Sequence, residues 1–186
     1  AAGGMCTLLV DADDAIWMTG KLRIGGPSST TFTRVQIPST PSRPPLRFVA
    51  VCLGFQHALA VTTDGGLFTW GQGDDGALGH GTRESIDVPS EVHALKNTHV
   101  TRAAAGSRSS LVLTRSGDMW SWGKGPALGH GGTEQSQQLL PKVIAGLPPG
   151  TPVHRIAAGG YAVACVRADG TAFSWGKLQH EAGVTT

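Results

Sequence analysis

The sequence predicts an all-β chain: a β-propeller of four-stranded blades, with about three and a half blades present as a partial ring. Three observations carry that expectation. Trp70-Gly71, Trp122-Gly123 and Trp175-Gly176 recur at spacings of 52 and 53 residues. Gly54, Gly106 and Gly159 repeat in the same register, and Leu-Gly-His-Gly occurs at Leu78–Gly81 and again at Leu128–Gly131. A worn earlier copy aligns Gly3 with Gly54, Val10 with Val61, Thr19-Gly20 with Trp70-Gly71, and Ile24-Gly25 with Leu78-Gly79. The copies fall approximately at residues 3–53, 54–105, 106–158 and 159–186, the last one short, within a single domain.

Each copy reads as the same series of strands. The apolar runs Phe48–Leu53, Val100–Ala105 and Val153–Ala158 end at the anchor glycines. His57–Val61, Ser109–Leu113 and Ala162–Val166 follow, then Leu67–Trp70, Met119–Trp122 and Ala172–Trp175. The dipeptides Asp64-Gly65, Ser116-Gly117 and Asp169-Gly170 separate these last two sets, and apolar runs around a glycine turn predict a hairpin. A fourth strand is expected at Val88-Pro89 and at Leu140-Pro141-Lys142-Val143, where proline suits a sheet edge. Ala103-Ala104-Ala105 and Ala157-Ala158 are small enough for strands crowded around a central channel. The indoles do the opposite: each can bury about 150–250 Å² and wedge between neighbouring sheets. The glycine after each Trp is expected at a bulge or tight turn, where a Cβ would clash. The segment Pro38–Pro45, with four prolines, is expected as a stiff surface linker.

Composition closes off several functions. Fifteen Lys and Arg against thirteen Asp and Glu leave a net charge of +2, too little for a strong nucleic-acid or anionic-membrane footprint. The longest apolar run is the eight residues from Phe48 to Phe55, far short of the roughly 18 needed to span a bilayer. Only 15% of residues are charged while 27 are Gly and 11 Pro, a turn-rich all-β profile. Cys6, Cys52 and Cys165 form an odd set without CxxC spacing. They argue against a disulfide framework or zinc site and make an intracellular location the expectation over a secreted one. The chain begins at Ala1, and its first five residues show no targeting signal; a sequence starting partway through a longer polypeptide, or one shorn of a leader, fits that.

No constellation for catalysis, metal or cofactor binding stands out. His80 and His130 occupy equivalent positions a whole copy apart, so they do not converge on a metal and are expected to satisfy loop backbone. His57, in a strand, is expected as a hydrogen-bonded core residue; His93, His99, His154 and His180 follow no pattern. Ser107, Ser109 and Ser110 lack a nucleophile-elbow context. Gly71-Gln72-Gly73-Asp74-Asp75-Gly76 imitates a dinucleotide fingerprint but leads into no helix. The three cysteines read as buried inert thiols in strands. Arg102, Arg108 and Arg115 are spread over loops and strand ends without interleaved aromatics, so direct reading of nucleic acid is not expected.

The pattern Asp-Gly-x-x-x-x-Trp-Gly, Ala-Leu-Gly-His-Gly, Pro and Gly-x-x-His-x-Leu, best at positions 64–81, Pro89 and 106–123, resembles the regulator of chromosome condensation repeat. The resemblance covers essentially the whole chain and implies seven-bladed propellers. They recur in an exchange factor for the GTPase Ran, in ubiquitin ligases, in a plant ultraviolet photoreceptor and in scaffolding proteins. The chain departs from the family pattern as a diverged, partial-length member would. Ala77 and Ala127 stand where the family has Gln, Thr19 replaces the first Trp, and Cys6, Ser109 and Ala162 replace the histidine kept at His57.

Two functions are therefore expected in order: a non-enzymatic interaction platform, a scaffold or accessory subunit of a larger assembly, and after it a guanine nucleotide exchange factor for a Ran-type GTPase. The second is implied by the resemblance alone, and only Asp74, Asp75 and Glu84 offer loop acids for it. The partners expected are proteins in a multi-subunit complex, together with further blades from the same or another chain, since a partial ring leaves exposed sheet edges. The loops after each Trp-Gly differ while the strands follow the repeat, so Asp74, Asp75, Arg83, Glu84, Lys124 and Glu134 are the expected partner contacts.

Overall fold

A computed structural model describes residues 1–38, 45–148 and 150–177. Most of the proline-rich linker and His180 lie outside the described residues. Four antiparallel sheets follow one another along the chain. The first holds β1 (Cys6–Val10), β2 (Ile16–Lys21) and β3 (Ser28–Arg34). The second holds β4 (Phe48–Leu53), β5 (His57–Thr62), β6 (Leu67–Gly71) and β7 (Ile86–Glu91). The third holds β8 (Val100–Ala105), β9 (Ser109–Thr114), β10 (Met119–Lys124) and β11 (Gln137–Val143). The fourth holds β12 (Val153–Gly159), β13 (Ala162–Arg167) and β14 (Ala172–Gly176).

The runs predicted from the repeat are these strands to within two residues, and Val88-Pro89 and Leu140-Pro141 lie on the outermost strands β7 and β11. The phase differs, however. The strand before each anchor glycine is the innermost strand of the sheet that follows it, so a sequence copy such as 54–105 spans the last three strands of one sheet and the first of the next. Two one-turn 3-10 helices, His93–Leu95 and Pro126–Leu128, sit in connections where the sequence predicted only loop.

Three apolar cores join the four sheets into an open arc among the described residues. Alternation along the middle strands builds them. In β5, Ala58 and Ala60 face the first sheet, while Leu59 and Val61 face the third. In β9, Val112 turns back toward the second sheet, and Leu111 and Leu113 turn toward the fourth. Both faces of these sheets are therefore buried, which is why β5 and β9 have no exposed residue.

The Trp-Gly pair sets the spacing of this arc. Register slips between Met18 and Gly20, Thr69 and Gly71, and Ser121 and Gly123 set Thr19, Trp70 and Trp122 each against three residues of the outer strand, so the irregularity bulges β3, β7 and β11. Gly20, Gly71, Gly123 and Gly176 have φ of +90°, +111°, +104° and +99°. A Cβ on each would come within 2.2–2.5 Å of the main-chain oxygen of Met5, Gln56, Arg108 or Tyr161. Only glycine fits. The indole points out of its own sheet into the preceding one: Trp122 Nε1 donates to Ala77 O (2.8 Å) and Trp175 Nε1 to Ala127 O (2.9 Å). Trp70 and Trp122 are 1% and 0% exposed, whereas Trp175 stays half-buried.

The first copy corrects the alignment. Ile24 is 72% exposed, and Leu22 (6%) is the residue that packs against Trp70 in the first core.

The same carbonyl that receives Trp122 anchors a buried polar chain. Ser110 Oγ donates to Ala77 O (2.7 Å) and pairs with His57 Nε2 at 3.0 Å. With the hydroxyl proton spent on Ala77, His57 donates through Nε2 and acts as a structural residue. Burial holds its pKa down at about 4.

Two outcomes follow from this packing. Trp122→Ala is expected to cost about 3–5 kcal/mol in chemical denaturation; Trp175→Ala is expected to cost less, because part of its indole already meets solvent. For His57, the unfolded chain takes up a proton near 6.5 that the folded state refuses until about 4. The unfolded state therefore holds more protons in that window, and stability falls as pH falls through it, by about 3 kcal/mol in full. Denaturation midpoints measured from pH 7 to pH 4 should show a flatter slope in His57→Ser than in the unsubstituted chain.

Candidate functional site

One end of the strands gathers the variable loops. Lys21 N–H donates to Met5 O (2.9 Å), Gln72 to Gln56 O (2.7 Å), Lys124 to Arg108 O (2.8 Å) and Lys177 to Tyr161 O (2.9 Å). Each bond ties the residue after a Trp-Gly position to the turn after an anchor glycine. The resulting face carries two kinds of group. Met5, Phe55 and Tyr161 remain 46%, 55% and 41% exposed on short turns, and Phe55 lies over Gly4, where a Cβ would sit 3.0 Å from its ring. Beside them run Arg108, Lys124 and Lys177.

Of the six residues expected as partner contacts, five lie on loops around this face and Lys124 ends β10, but the fold also uses several of them. Asp75 stands 3.5 Å from Arg108 and 3.9 Å from Lys124 across the seam between the second and third sheets. Glu134 pairs with Lys177 at 2.9 Å across the next seam. That bond holds the Glu134 carboxyl below its ordinary range and the Lys177 ammonium above its own. Arg83 hydrogen-bonds Gln137, and Asp74 is bonded by the Gln72 amide while its main-chain oxygen accepts from Gln137 Nε2 (3.2 Å). Glu84 is exposed, and its main-chain oxygen packs against Gly73. An ion pair of opposite polarity, Arg23 with Asp87 at 2.7 Å, spans the first seam. Sequence reasoning passed over Phe55, Tyr161 and Lys177; the signal available was their fixed place one or two residues after an anchor glycine or directly after Trp-Gly.

The remaining candidates are structural in their geometry. Thr69 Oγ1 donates to Leu78 O (2.7 Å) and meets His80 Nε2 at 2.9 Å; Ser121 Oγ donates to Leu128 O and meets His130 Nε2 at 3.0 Å. Each imidazole therefore donates to a hydroxyl and staples its Leu-Gly-His-Gly loop to the sheet. Burial lowers the pKa of both. Among the described residues no three His, Cys, Asp or Glu side chains group to hold a metal. Cys6 and Cys165 are buried, and burial pushes the half-buried Cys52 thiol up to about 12. Arg108 and Arg115 flank opposite ends of β9, where Arg115 meets His99 Nε2 at 2.8 Å, and Arg102 on β8 donates to His154 O (3.0 Å). They form no common basic patch. After Gly71 no helix follows for a phosphate to cap. No helix among the described residues is long and apolar enough to cross a membrane.

Residues 64–113 and 48–77 match the Regulator of chromosome condensation (RCC1) repeat. The human E3 ubiquitin-protein ligase HERC2 is 36% identical over 187 residues, covering 94% of this chain and 4% of that protein. The Arabidopsis thaliana ultraviolet-B receptor UVR8 is 30% identical over 141 residues, covering 74% of this chain and 31% of the receptor. The crystal structure of human WBSCR16 superposes with a TM-score of 0.81 at 26% identity, over 95% of this chain and 46% of that one. Yeast RCC1 (Prp20), solved bound to Kap60, shares the fold with a TM-score of 0.71 at 21% identity, over 95% of this chain and 42% of that one. The chain thus spans less than a third of these curated relatives and about half of these solved propellers. By its matched repeats and by the Trp-Gly strand that repeats from sheet to sheet, the chain belongs to the regulator of chromosome condensation repeat family of β-propellers.

Proposed function

We propose that the chain is a non-enzymatic protein-interaction platform, a scaffold or accessory subunit of a larger assembly, that recognises its partner with the face bearing Met5, Phe55, Arg108 and Tyr161. The observation that supports this most is the exposure of three large apolar side chains on turns held by main-chain hydrogen bonds to rigid sheets. Such side chains present apolar area with little further loss of entropy on binding. The flanking loops differ in length and charge from blade to blade, which is where a common scaffold can carry specificity. Asp74, Asp75, Arg83, Glu84, Lys124 and Glu134 form the polar rim of this surface. Yeast Prp20, which shares the fold, was crystallised with a protein partner, Kap60.

Exchange on a Ran-type GTPase is the weaker reading. Of the loop acids it would draw on, Asp75 already stands between Arg108 and Lys124.

Cross-linked complexes of the chain, captured and quantified by mass spectrometry, test the proposal. Met5→Ala with Phe55→Ala is expected to deplete specific partners about tenfold, since buried anchors dominate binding and rim charges contribute little. Combined substitution of 72–75 and 83–84 is expected to give a smaller loss. Thr63→Arg, at the opposite end of β5, should change nothing. Unchanged capture by the Phe55 variant would remove this face as the recognition surface. Acceleration of labelled GDP release from a Ran-type GTPase would establish the exchange reading instead.

A further inference from the structure

The seams between blades are built alike on the loop face, with one difference. Between the second and third sheets, Gly71 and Ala77 are joined by Gln72-Gly73-Asp74-Asp75-Gly76, and the Asp75 carboxylate stands between Arg108 and Lys124 of the next sheet. Between the third and fourth, Gly123 and Ala127 are joined by Lys124-Gly125-Pro126 alone. The correspondence rests on hydrogen bonds. Gly73 N–H donates to Ser85 Oγ (3.1 Å) and Gly125 N–H to Ser136 O (2.9 Å), just before each outer strand, while Ala77 and Ala127 both receive an indole. The shorter loop lacks the two aspartates. At this seam lies a cavity of about 220 Å³ bounded by Arg108, Lys124, Gly125, Tyr161 and Lys177, with Glu134 at its rim. A Cβ on Gly125 would meet nothing within 4 Å, so that side of the wall is open.

We propose that this cavity binds a carboxylate side chain from an acidic segment of a protein partner, held by Arg108, Lys124 and Lys177 much as Asp75 is held one seam earlier. The inference rests on the interaction-platform reading and gives that reading a ligand chemistry. Three cations face two in-chain carboxylates, Asp75 and Glu134, and neither satisfies them well. Asp75 is 3.5 Å and 3.9 Å from its partners, beyond a charge-assisted hydrogen bond, and the Arg108 guanidinium makes no hydrogen bond among the described residues. The Glu134–Lys177 pair is solvent-exposed on both sides, a geometry that contributes little and opens readily. Tyr161, 41% exposed, offers an aromatic wall for the segment's backbone. The excess of one positive charge suits a carboxylate; a nucleic acid strand would need a track of cations and stacked aromatics that this seam lacks. Glu134 holds a cation that the incoming carboxylate needs, so it acts as a competitor built into the chain.

That competition makes the proposal testable in both directions. Fluorescein-labelled hexaglutamate, its hexaglutamine counterpart and a labelled thymidine hexanucleotide would each be titrated into the full chain by anisotropy, with the amide shifts of Gly125 and Ala127 marking the place of binding. Hexaglutamate is expected to bind saturably and to shift both amides, and hexaglutamine is not. Lys124→Ala and Lys177→Ala are expected to weaken hexaglutamate about fivefold each, and Glu134→Gln to tighten it about threefold. A structural role for Glu134 would not produce the gain. Equal binding of hexaglutamine, absence of shifts at Gly125, or a Glu134→Gln variant that binds no more tightly would overturn the proposal; tighter binding of the oligonucleotide would assign the cavity to nucleic acid. If hexaglutamate fails while partner capture still depends on Phe55, this inference falls and the platform reading stands. If hexaglutamate binds at the cavity while capture ignores Phe55, the reverse holds.

Discussion

Two of the three seams in the arc depend on one interaction, the indole of one sheet donating to a loop carbonyl of the sheet before it. Trp122 reaches Ala77 O and Trp175 reaches Ala127 O. Everything around that bond is arranged to permit it. The indole lies on the face of its strand that meets the preceding sheet, and the glycine that follows has the positive φ and missing Cβ that let the chain pass against the preceding turn. On the receiving side, Ser121 Oγ holds Leu128 O and meets His130, which fixes the loop that presents the Ala127 carbonyl. Ser110 Oγ donates to the same Ala77 oxygen and is held in turn by His57 Nε2. The Leu-Gly-His-Gly repeat is therefore a receptor for the next tryptophan, and the two motifs recur together because each is half of one joint.

Because this joint is buried, the chain has polar groups to spare only at the strand ends. The loop face uses them chiefly on itself: Arg23 with Asp87, Asp75 with Arg108 and Lys124, and Glu134 with Lys177 each span one seam. These pairs are partly or largely exposed, so their hold on the arc is slight beside the buried indoles. They do decide where charge is left over. A face whose ions bridge seams is neutral on average and uneven in detail, and the unevenness follows loop length.

The strands and the glycines after each Trp were legible in the sequence because both obey strong local rules: short apolar runs set off by glycine turns, and a conformation that only glycine adopts easily. The joint was legible only in part. Three tryptophans at one spacing announce a repeated wedge, but the acceptor carbonyls at Ala77 and Ala127 are main-chain atoms and leave no mark in residue identity. Blade phase was hidden for a related reason, since the anchor glycine is the most visible feature of each copy while the sheet begins one strand earlier. Aligning Ile24 with Leu78 followed dipeptide identity; the core selects Leu22 because burial against Trp70 acts on position in space. On the loop face, charged residues could be named but not paired, as Asp75 and Lys124 are brought together only by the packing of two sheets.

Loop length then links the fold to recognition. The tryptophan joint fixes Ala77 and Ala127 in equivalent places, so residues inserted or lost between the Trp-Gly glycine and that alanine cannot move the sheets; they can only fill or empty the space above the seam. Five residues fill it with a carboxylate, and three leave a basic hollow beside Tyr161. A propeller held by buried indoles can vary these loops at almost no cost to stability, because the apolar area that joins the blades lies elsewhere. Specificity in this chain is thus free to change at the seam mouths while the joints beneath them stay the same.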